Sequence, residues 1–491
     1  MGRDFAGKRV TVMGLGTRGG GVGVARYLAG RGAAVTVTDA KPAEALAEPM
    51  AALAALPIRY VLGGHDEADF TPAGADLVVR NPGVPRRAPL LRRARHHGLP
   101  IEMEMSLFLR ACPAPVIGIT GTKGKTSTAS LCAAMLREWD DRTVLAGNMG
   151  VSALGQLERI TPDTPVVLEL SSWQVESLIE HGLAPAIAVL TNISEDHLDH
   201  YDGFDDYAAT KRGITRHQRP DDAFVVNADD PEAWRAAAET AARIVPFGLR
   251  DSGGDGAWLA GGTLLWRWGS SEVRVEVPPN PALAGKHSLA NALAAAAAAF
   301  LRGASPEAVA AGLGGFAGVR DRMEPVGEVG GVRFVNDTTA TAPAAAIAAL
   351  RSVDGQRIHL IAGGSDKRTT LEPLAVEAAR RAAAIYLLDG TATPELKRLL
   401  EHEGAVPRGP FKSMAEAVSA AAEQAGPGDL VLLSPGCASF GLFRDEFDRG
   451  ERFREAVRGL DASTGGAARQ AAGGGNGAFT ERCAVPTTEM L

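Results

Sequence analysis

Cysteine is scarce: Cys112, Cys132, Cys437 and Cys483 are the only four in 491 residues. They form no CxxC pair and no disulfide framework, and read as isolated thiols of a reducing compartment. A basic excess is also missing. Lys and Arg number 51 against 58 Asp and Glu, a net charge of -7, which excludes a non-specific grip on a nucleic-acid backbone. Local cationic pockets for small phosphates stay open. No apolar run reaches membrane length; the longest, Leu289–Leu301, is alanine-rich and too short to span a bilayer. The first fourteen residues hold charges but no apolar core of signal-peptide length. These absences predict a soluble, cytoplasmic protein.

Apolar residues make up 45% and charged ones 22%, ordinary values for a globular chain. At roughly 150 residues per domain the length suggests about three domains. Glycine is in excess, 58 residues, about 12% of the chain against a usual 7% or so. It falls partly in a tail and partly in loops, where it permits positive φ and close approach to a ligand.

Short β-rich runs alternate with alanine-rich helical stretches, an α/β pattern that implies parallel sheets. KRVTVMGLGTRGGGVGVARYLAGRGAAVTVTD reads as a strand, a glycine turn, a helix and a second strand, and a new unit starts at Pro115. Further strands are expected at Val166–Leu170, Ala186–Leu190, Phe224–Val226, Val332–Val335, Ile358–Ala362, Ile385–Leu388 and Leu430–Leu433. Most are continuous apolar runs, as in strands buried on both faces. They lead into ELSS, TNISEDH, NADD, NDTTAT, GGSDK and SPGCAS. In open parallel sheets ligands bind beyond the carboxyl ends of strands, so these polar loops are candidate ligand contacts. Linkers are expected at Arg110–Pro115 and at Gly312–Gly318. From Asp461 onward the Gly/Ala-rich sequence reads as a disordered tail.

Val116-Ile-Gly-Ile-Thr-Gly-Thr-Lys-Gly-Lys-Thr126 is a strand, a glycine loop and the start of a helix. Its amides and the positive helix end suit phosphate oxygens. Lys125 would meet the β/γ-phosphates and Thr126 the Mg²⁺. Ile119 stands where the strict phosphate-loop pattern has its first glycine, so this is a variant loop. The N-terminal Gly14-Leu-Gly-Thr-Arg-Gly19, with Asp39 ending the second strand, matches the dinucleotide fingerprint and fits NAD, FAD or any nucleotide diphosphate.

Ile119-Thr-Gly-Thr-Lys-Gly-Lys-Thr126 resembles the ATP loop of the Mur ligases, the amide-forming enzymes of peptidoglycan precursor synthesis. Further matches follow in order: Gly147–Gly150, Leu168–Gln174, Thr191–Asp199, Tyr207–Lys211, Gly285–Asn291, Asp321-Arg322, Asn336-Asp337 and Ser434–Ser439. The resemblance runs from about residue 8 to 460 and is greatest to the glutamate-adding members. It implies three α/β domains. These are a Rossmann-like UDP-binding domain (1–110), a central P-loop ATPase-type parallel-sheet domain (111–318) and a C-terminal Rossmann-like domain (319–460), followed by the tail (461–491).

The implied reaction adds glutamate, D-glutamate favoured, to UDP-N-acetylmuramoyl-L-alanine through an acyl phosphate. ATP and two Mg²⁺ ions would take part. Catalytic residues carried over are Lys125, Glu169, His197 and Lys211. Magnesium would be held by Thr126, Glu169, His197 and Lys211, the last as a carbamate, a form that requires a neutral amine. ATP contacts are Gly121, Thr122, Lys123, Gly124, Lys125, Thr126, Ser127, Asn291, Arg322 and Asp337. The UDP-substrate contacts are Leu15, Gly16, Thr17, Arg18, Asp39, Asn81, Gly83 and Asn148. Thr339, Thr341, Ser439 and Phe440 fall at the glutamate. Partners are expected to be small molecules, with no nucleic acid and no membrane, and the chain to act as a monomer.

Two stretches depart from the family pattern. Thr339 stands in place of a lysine that pairs with the amino acid's side-chain carboxylate, and FGLFRDEFDRG after Ser439 has an unusual form. Arg444, Lys367 or Arg368 are candidate replacement cations. An L-glutamate-adding variant is therefore the alternative. An NAD-linked oxidoreductase would leave Thr120–Thr126 and Ser194–Lys211 without a role, and a nucleotide-binding regulator would not need a metal constellation.

Overall fold

The computed structural model describes residues 5–16, 19–196, 200–283, 285–353, 355–366 and 369–471, with 461–471 described by backbone alone. Thr17, Arg18, His197, Lys367 and Arg368 lie outside the described residues.

Alternating β-branched runs such as RVTVM build the first sheet. Its strands are β1 (Arg9–Met13), β2 (Ala34–Asp39), β3 (Ile58–Leu62), β4 (Leu77–Arg80) and β5 (Ile101–Glu102). They lie in the order 3-2-1-4-5 and pair in parallel throughout. The order reverses between β1 and β4, where a doubly wound sheet opens its ligand crevice. β1 leads into the Gly14 loop and helix α1 (Gly20–Ala29), β4 leads into Asn81–Pro85, and α2 (Glu104–Ala111) closes the region.

The second sheet contains β6 (Val116–Thr120), β7 (Val144–Gly147), β8 (Val166–Glu169), β9 (Ile187–Leu190), β10 (Ala223–Asn227), β11 (Arg243–Gly248), β12 (Gly256–Ala260), β13 (Thr263–Trp268) and β14 (Ser271–Glu276). Its order is 14-13-12-11-10-9-6-8-7. The parallel expectation fails at one edge, where β12, β13 and β14 are antiparallel. Gly261 and Gly262, at φ 57 and 85, form a two-residue turn between β12 and β13. Positive φ at both positions suits a tight hairpin, which cannot join parallel strands.

Helices α3 (Lys125–Trp139), α4 (Ser172–Glu180), α5 (Phe204–Arg212), α6 (Lys286–Arg302) and α7 (Pro306–Gly315) cover this sheet. Ala292 and Ala294–Ala299 of α6 are all buried, so alanine serves close helix packing rather than membrane insertion. The Gly312–Gly318 stretch, expected as linker, is helix as far as Gly315. A Cβ on Gly312 would lie 2.5 Å from the Met135 Cα; the glycine is there for α7 to reach α3. The Arg110–Pro115 linker likewise starts late, because α2 runs to Ala111. No helix among the described residues is long and apolar enough to cross a membrane.

The third sheet comprises β15 (Glu324–Val329), β16 (Val332–Asn336), β17 (Ile358–Ala362), β18 (Ala382–Leu388), β19 (Arg408–Phe411) and β20 (Leu430–Leu433), in the order 15-16-20-17-18-19. Only the β15–β16 pair is antiparallel. Helix α8 (Glu446–Ala471) packs beside it. This helix continues past the tail boundary expected at 460, because Ala, Arg and Gln in 461–471 favour helix in spite of two glycines. Residues 472–491 lie outside the described residues.

By its contacts the chain forms two compact units, Met1–Ala317 and Gly318–Leu491. The first contains two of the sheets. They are joined by the buried Arg80–Glu176 ion pair at 3.3 Å and by Gly23, whose absent Cβ would fall 1.9 Å from the Ser152 hydroxyl.

Candidate active site

Beyond β6 the chain must turn sharply to enter α3, and two glycines allow it. Gly121 and Gly124 sit at φ 150 and 84. A Cβ on Gly121 would lie 1.9 Å from Thr191 Oγ1, and one on Gly124 would lie 2.3 Å from Asn291 Oδ1. Asn291 of α6 is thus seated against the loop. Neighbouring strands brace it: Thr191 Oγ1 and Asn192 Nδ2 donate to the Lys123 carbonyl at 2.7 and 2.8 Å. The Lys125 amine curls back to the Gly121 and Thr122 carbonyls, 3.0 Å each. Lys123 reaches Asp196 at 3.2 Å. Thr126 and Ser127 fall in the first turn of α3, half-buried, where amides and helix dipole favour an anion.

Two buried charges lie close to this loop. Glu169, at the end of β8, is 2% exposed. Its Oε1 accepts from Asn148 Nδ2 at 2.9 Å, while Oε2 is buried without a hydrogen-bond partner among the described residues. Such an atom costs about 1–3 kcal/mol, more when charged, unless something binds it. Lys211, in the last turn of α5, is equally buried. Burial, then Lys125 and Lys123, push its amine well below the ordinary lysine range, against the pull of Asp196 and Glu169. Its ammonium position lies 4.9 Å from the Tyr207 ring centroid, and the Tyr207 hydroxyl lies 3.1 Å from Thr122 Oγ1. Tyr207 therefore connects the lysine helix to the phosphate loop.

On the nucleotide side of the same unit, Asp39 is buried at the end of β2. Its Oδ2 accepts from the Leu15 and Gly16 amides at 2.9 and 3.2 Å, so this acid braces the glycine loop. Asn81 Oδ1 accepts from the Gly83 amide at 3.1 Å, which folds the second loop on itself. Gly14, Gly20, Gly21, Arg80, Asn81 and Glu104 line a small cavity between the two loops.

In the second unit, Asp337 follows β16 and Ser434 follows β20. The Ser434 hydroxyl donates to Asp337 Oδ2 at 2.8 Å, and burial pushes the Asp337 carboxyl up to about 6. Arg322 is exposed. The hydroxyl of Thr339 donates to the Asp321 carbonyl at 2.9 Å, and the Thr341 amide donates to the Thr339 carbonyl at 2.8 Å. Ser439 Oγ is buried with no hydrogen-bond partner among the described residues, and Phe440 is 59% exposed beside it.

Three family models match consecutive parts of the chain: a MurD-like N-terminal Mur ligase domain over 8–102, a Mur ligase middle domain over 119–299 and a Mur ligase glutamate ligase domain over 321–437. The chain belongs to the Mur ligase family. Among curated relatives, the UDP-N-acetylmuramoylalanine--D-glutamate ligase of Roseiflexus sp. (strain RS-1) is 50% identical over 92% of this chain and 99% of its own. That of Symbiobacterium thermophilum is 41% identical over 92% and 98%. Among solved structures, the UDP-N-acetylmuramate-alanine ligase of Thermotoga maritima shares the fold, at TM-score 0.58 and 20% identity over 92% of this chain and 99% of that one.

Mur ligases are ATP-dependent, typically with Mg²⁺, and the residues present fit that ion. Among the described residues no cluster of three or more His, Cys, Asp or Glu stands ready for a metal. Mg²⁺ needs no such cage, since it takes one or two carboxylates together with water and substrate phosphates. The Glu169 oxygen near the phosphate loop, buried without a partner among the described residues, is a carboxylate donor of that kind.

Two structural supports are not legible in the sequence. Arg449 is fully buried. Its Nε donates to Thr338 Oγ1 at 2.9 Å, Nη2 to the Thr338 carbonyl at 2.8 Å and Nη1 to the Cys437 carbonyl at 3.2 Å. It thereby ties the loop after β16 to the loop after β20. Glu104 accepts from Ser152 Oγ at 2.5 Å and links the first two sheets. No local pattern announces either; each has neighbours distant in sequence.

Proposed function

We propose that the protein joins D-glutamate to the carboxylate of UDP-N-acetylmuramoyl-L-alanine, with conversion of ATP to ADP and phosphate. The carrying observation is the buried, neutral-leaning Lys211 amine near a phosphate loop whose Glu169 has an unpartnered carboxylate oxygen. The names of relatives up to 50% identical over nearly their whole length support the substrates.

A carboxylate is a poor electrophile until it carries a leaving group. The γ-phosphoryl passes from ATP to the alanyl carboxylate, giving an acyl phosphate. The glutamate amine then attacks the acyl carbon, loses a proton and expels phosphate through a tetrahedral intermediate. Bringing two anions together requires positive charge at the meeting point. Lys125 supplies part of it, and Mg²⁺, when bound, adds Lewis-acid stabilisation of phosphoryl oxygens.

We assign one magnesium to Thr126 and Glu169, and a second to His197 and carbamylated Lys211. Burial of the Lys211 amine favours the neutral form that reacts with CO₂, and the carbamate offers oxygen to a hard cation. Asn291, Arg322 and Asp337 serve the adenine, γ-phosphate and ribose. Leu15–Arg18, Asp39, Asn81, Gly83 and Asn148 serve the UDP-sugar, and Thr341, Ser439 and Phe440 the incoming glutamate. Thr339 brings no charge to that pocket. Of the candidate replacement cations Arg444, Lys367 and Arg368, Arg444 lies among the described residues, exposed and 3.5 Å from Asp448.

Incubation with ATP, Mg²⁺, UDP-N-acetylmuramoyl-L-alanine and each glutamate enantiomer separately tests the assignment. The expected result is phosphate release and a new amide with D-glutamate only. Folded protein that releases no phosphate with either enantiomer would end the ligase reading; an L-glutamate product alone would reverse the stereochemistry.

A further inference from the structure

Arg322 sits at the centre of an unusual turn. The residues on either side, Asp321 and Met323, have φ 66 and 43 and are the only non-glycine residues at positive φ among the described residues. L-residues seldom adopt this backbone, and methionine tolerates it less well than aspartate. A strained turn persists only where its surroundings over-determine it.

The surroundings do so here. Asn336 Nδ2 donates to Asp321 Oδ1 at 2.9 Å and to Glu324 Oε2 at 3.0 Å. Arg454 Nη1 repeats the grip from α8, at 2.9 Å to Asp321 and 2.7 Å to Glu324. Its Nη2 is anchored to Glu451 at 3.0 Å. The Met323 amide donates to Asp337 Oδ1 at 3.2 Å. Gly450, one helical turn before Arg454, lets α8 come close, since a Cβ there would lie 2.1 Å from Asp321 Oδ1. Residues 321, 323 and 324 are therefore each pinned by groups distant in sequence, while Arg322 between them is exposed.

We propose that Arg454 is a positioning residue for phosphate recognition. It holds the Asp321–Glu324 turn in its strained form, so that the Arg322 guanidinium is presented to the γ-phosphate before nucleotide arrives. Pre-organising an arginine in this way lowers the ordering cost of binding. The proposal rests on the assignment of Arg322 to the γ-phosphate, and its test separates the two.

ATP and ADP affinities are measured on the full chain by calorimetry with Mg²⁺, for the wild type, Arg322→Ala, Arg454→Met, Arg454→Gln and Arg454→Lys. Removing the clamp should lower ATP affinity by roughly tenfold while ADP binding stays within about twofold, matching Arg322→Ala. Arg454→Lys, which still faces both carboxylates, should recover part of the ATP preference. Should Arg454→Met not fold, Arg454→Gln, neutral but still a donor, is the variant compared. An unchanged ATP:ADP ratio in Arg322→Ala would remove the γ-phosphate assignment. A ratio lost in Arg322→Ala but kept in the Arg454 variants would overturn the positioning role. An equal loss of ATP and ADP in those variants would reduce Arg454 to general scaffolding and also overturn it.

Discussion

Near the phosphate loop, Glu169 Oε2 is buried with no partner among the described residues, and the Lys211 amine is pushed toward its neutral form by burial and two other lysines. In the corner of the second unit, Asp321 and Asn336 are buried, Glu324 and Arg454 are partly buried, and the four satisfy one another. Both regions concentrate polar groups out of water, at a cost that partners normally offset. The first leaves that cost standing, as suits the cation and phosphates proposed to bind there. The second cancels it internally and uses the result to fix a backbone. A buried polar cluster therefore marks a ligand site by what it leaves unsatisfied, not by its size.

The sharpest way to break this contrast is Lys211→Ala. In a region built to be completed by ligands, the substitution should cost activity and not stability. Phosphate release should fall by about a thousandfold, in the range seen when a preorganised stabilising group is removed. The melting temperature without ligands should hold or rise, because a buried amine is gone. A short carboxylic acid in the assay should restore a fraction of the rate by standing in for the carbamate oxygens. Full activity in the variant would take Lys211 out of the reaction.

Glu169→Gln probes the same idea more gently. Losing the charge should raise the Mg²⁺ concentration needed for half-maximal rate by roughly tenfold or more. The ligand-free fold should be unharmed, since an amide needs less solvation than an orphaned carboxylate. Mg²⁺ titrations of rate, paired with melts in chelator, check both halves. A large drop in the chelator melt with unchanged Mg²⁺ demand would make Glu169 a structural residue.

The contrast also explains which parts were legible in the sequence. Thr120–Thr126 is read directly because a strand, a glycine turn and a helix start are consecutive, so the chemistry is local. The strands at Val166, Ala186, Ile358 and Leu430 are legible for the same reason, as apolar runs ending in polar loops. Gly312 misled: glycine signals a linker, yet here it marks close packing on Met135. The β12–β14 edge was missed although Gly261-Gly262 carried the hairpin signal. Arg449 and Arg454 were invisible, since the partners that give them their roles, Thr338 for one and Asp321 and Glu324 for the other, lie more than a hundred residues away. The same holds for Thr339. Its lack of charge was evident, but its bond to the Asp321 carbonyl exists only in the folded unit.

Asp337 lies between the two cases and carries the smallest expected effect. It receives hydrogen bonds from Ser434 and the Met323 amide, yet burial outweighs them and its carboxyl rises to about 6 from the usual 3.8. The folded state thus holds a proton more tightly than the unfolded chain. Stability from this group is present in full below about pH 4 and is lost as the pH rises through about 6. A shift of this size corresponds to at most about 3 kcal/mol. Urea melts of the wild type between pH 4 and 7 should lose stability over that window, in opposition to the other carboxylates, and Asp337→Asn should remove that component. Parallel pH profiles for the two proteins would mean that the Asp321–Glu324 corner compensates Asp337 fully and that it belongs with the closed network. A flattened profile would place Asp337 with Glu169 and Lys211, among the groups whose incomplete solvation in the free protein leaves room for a ligand to complete it.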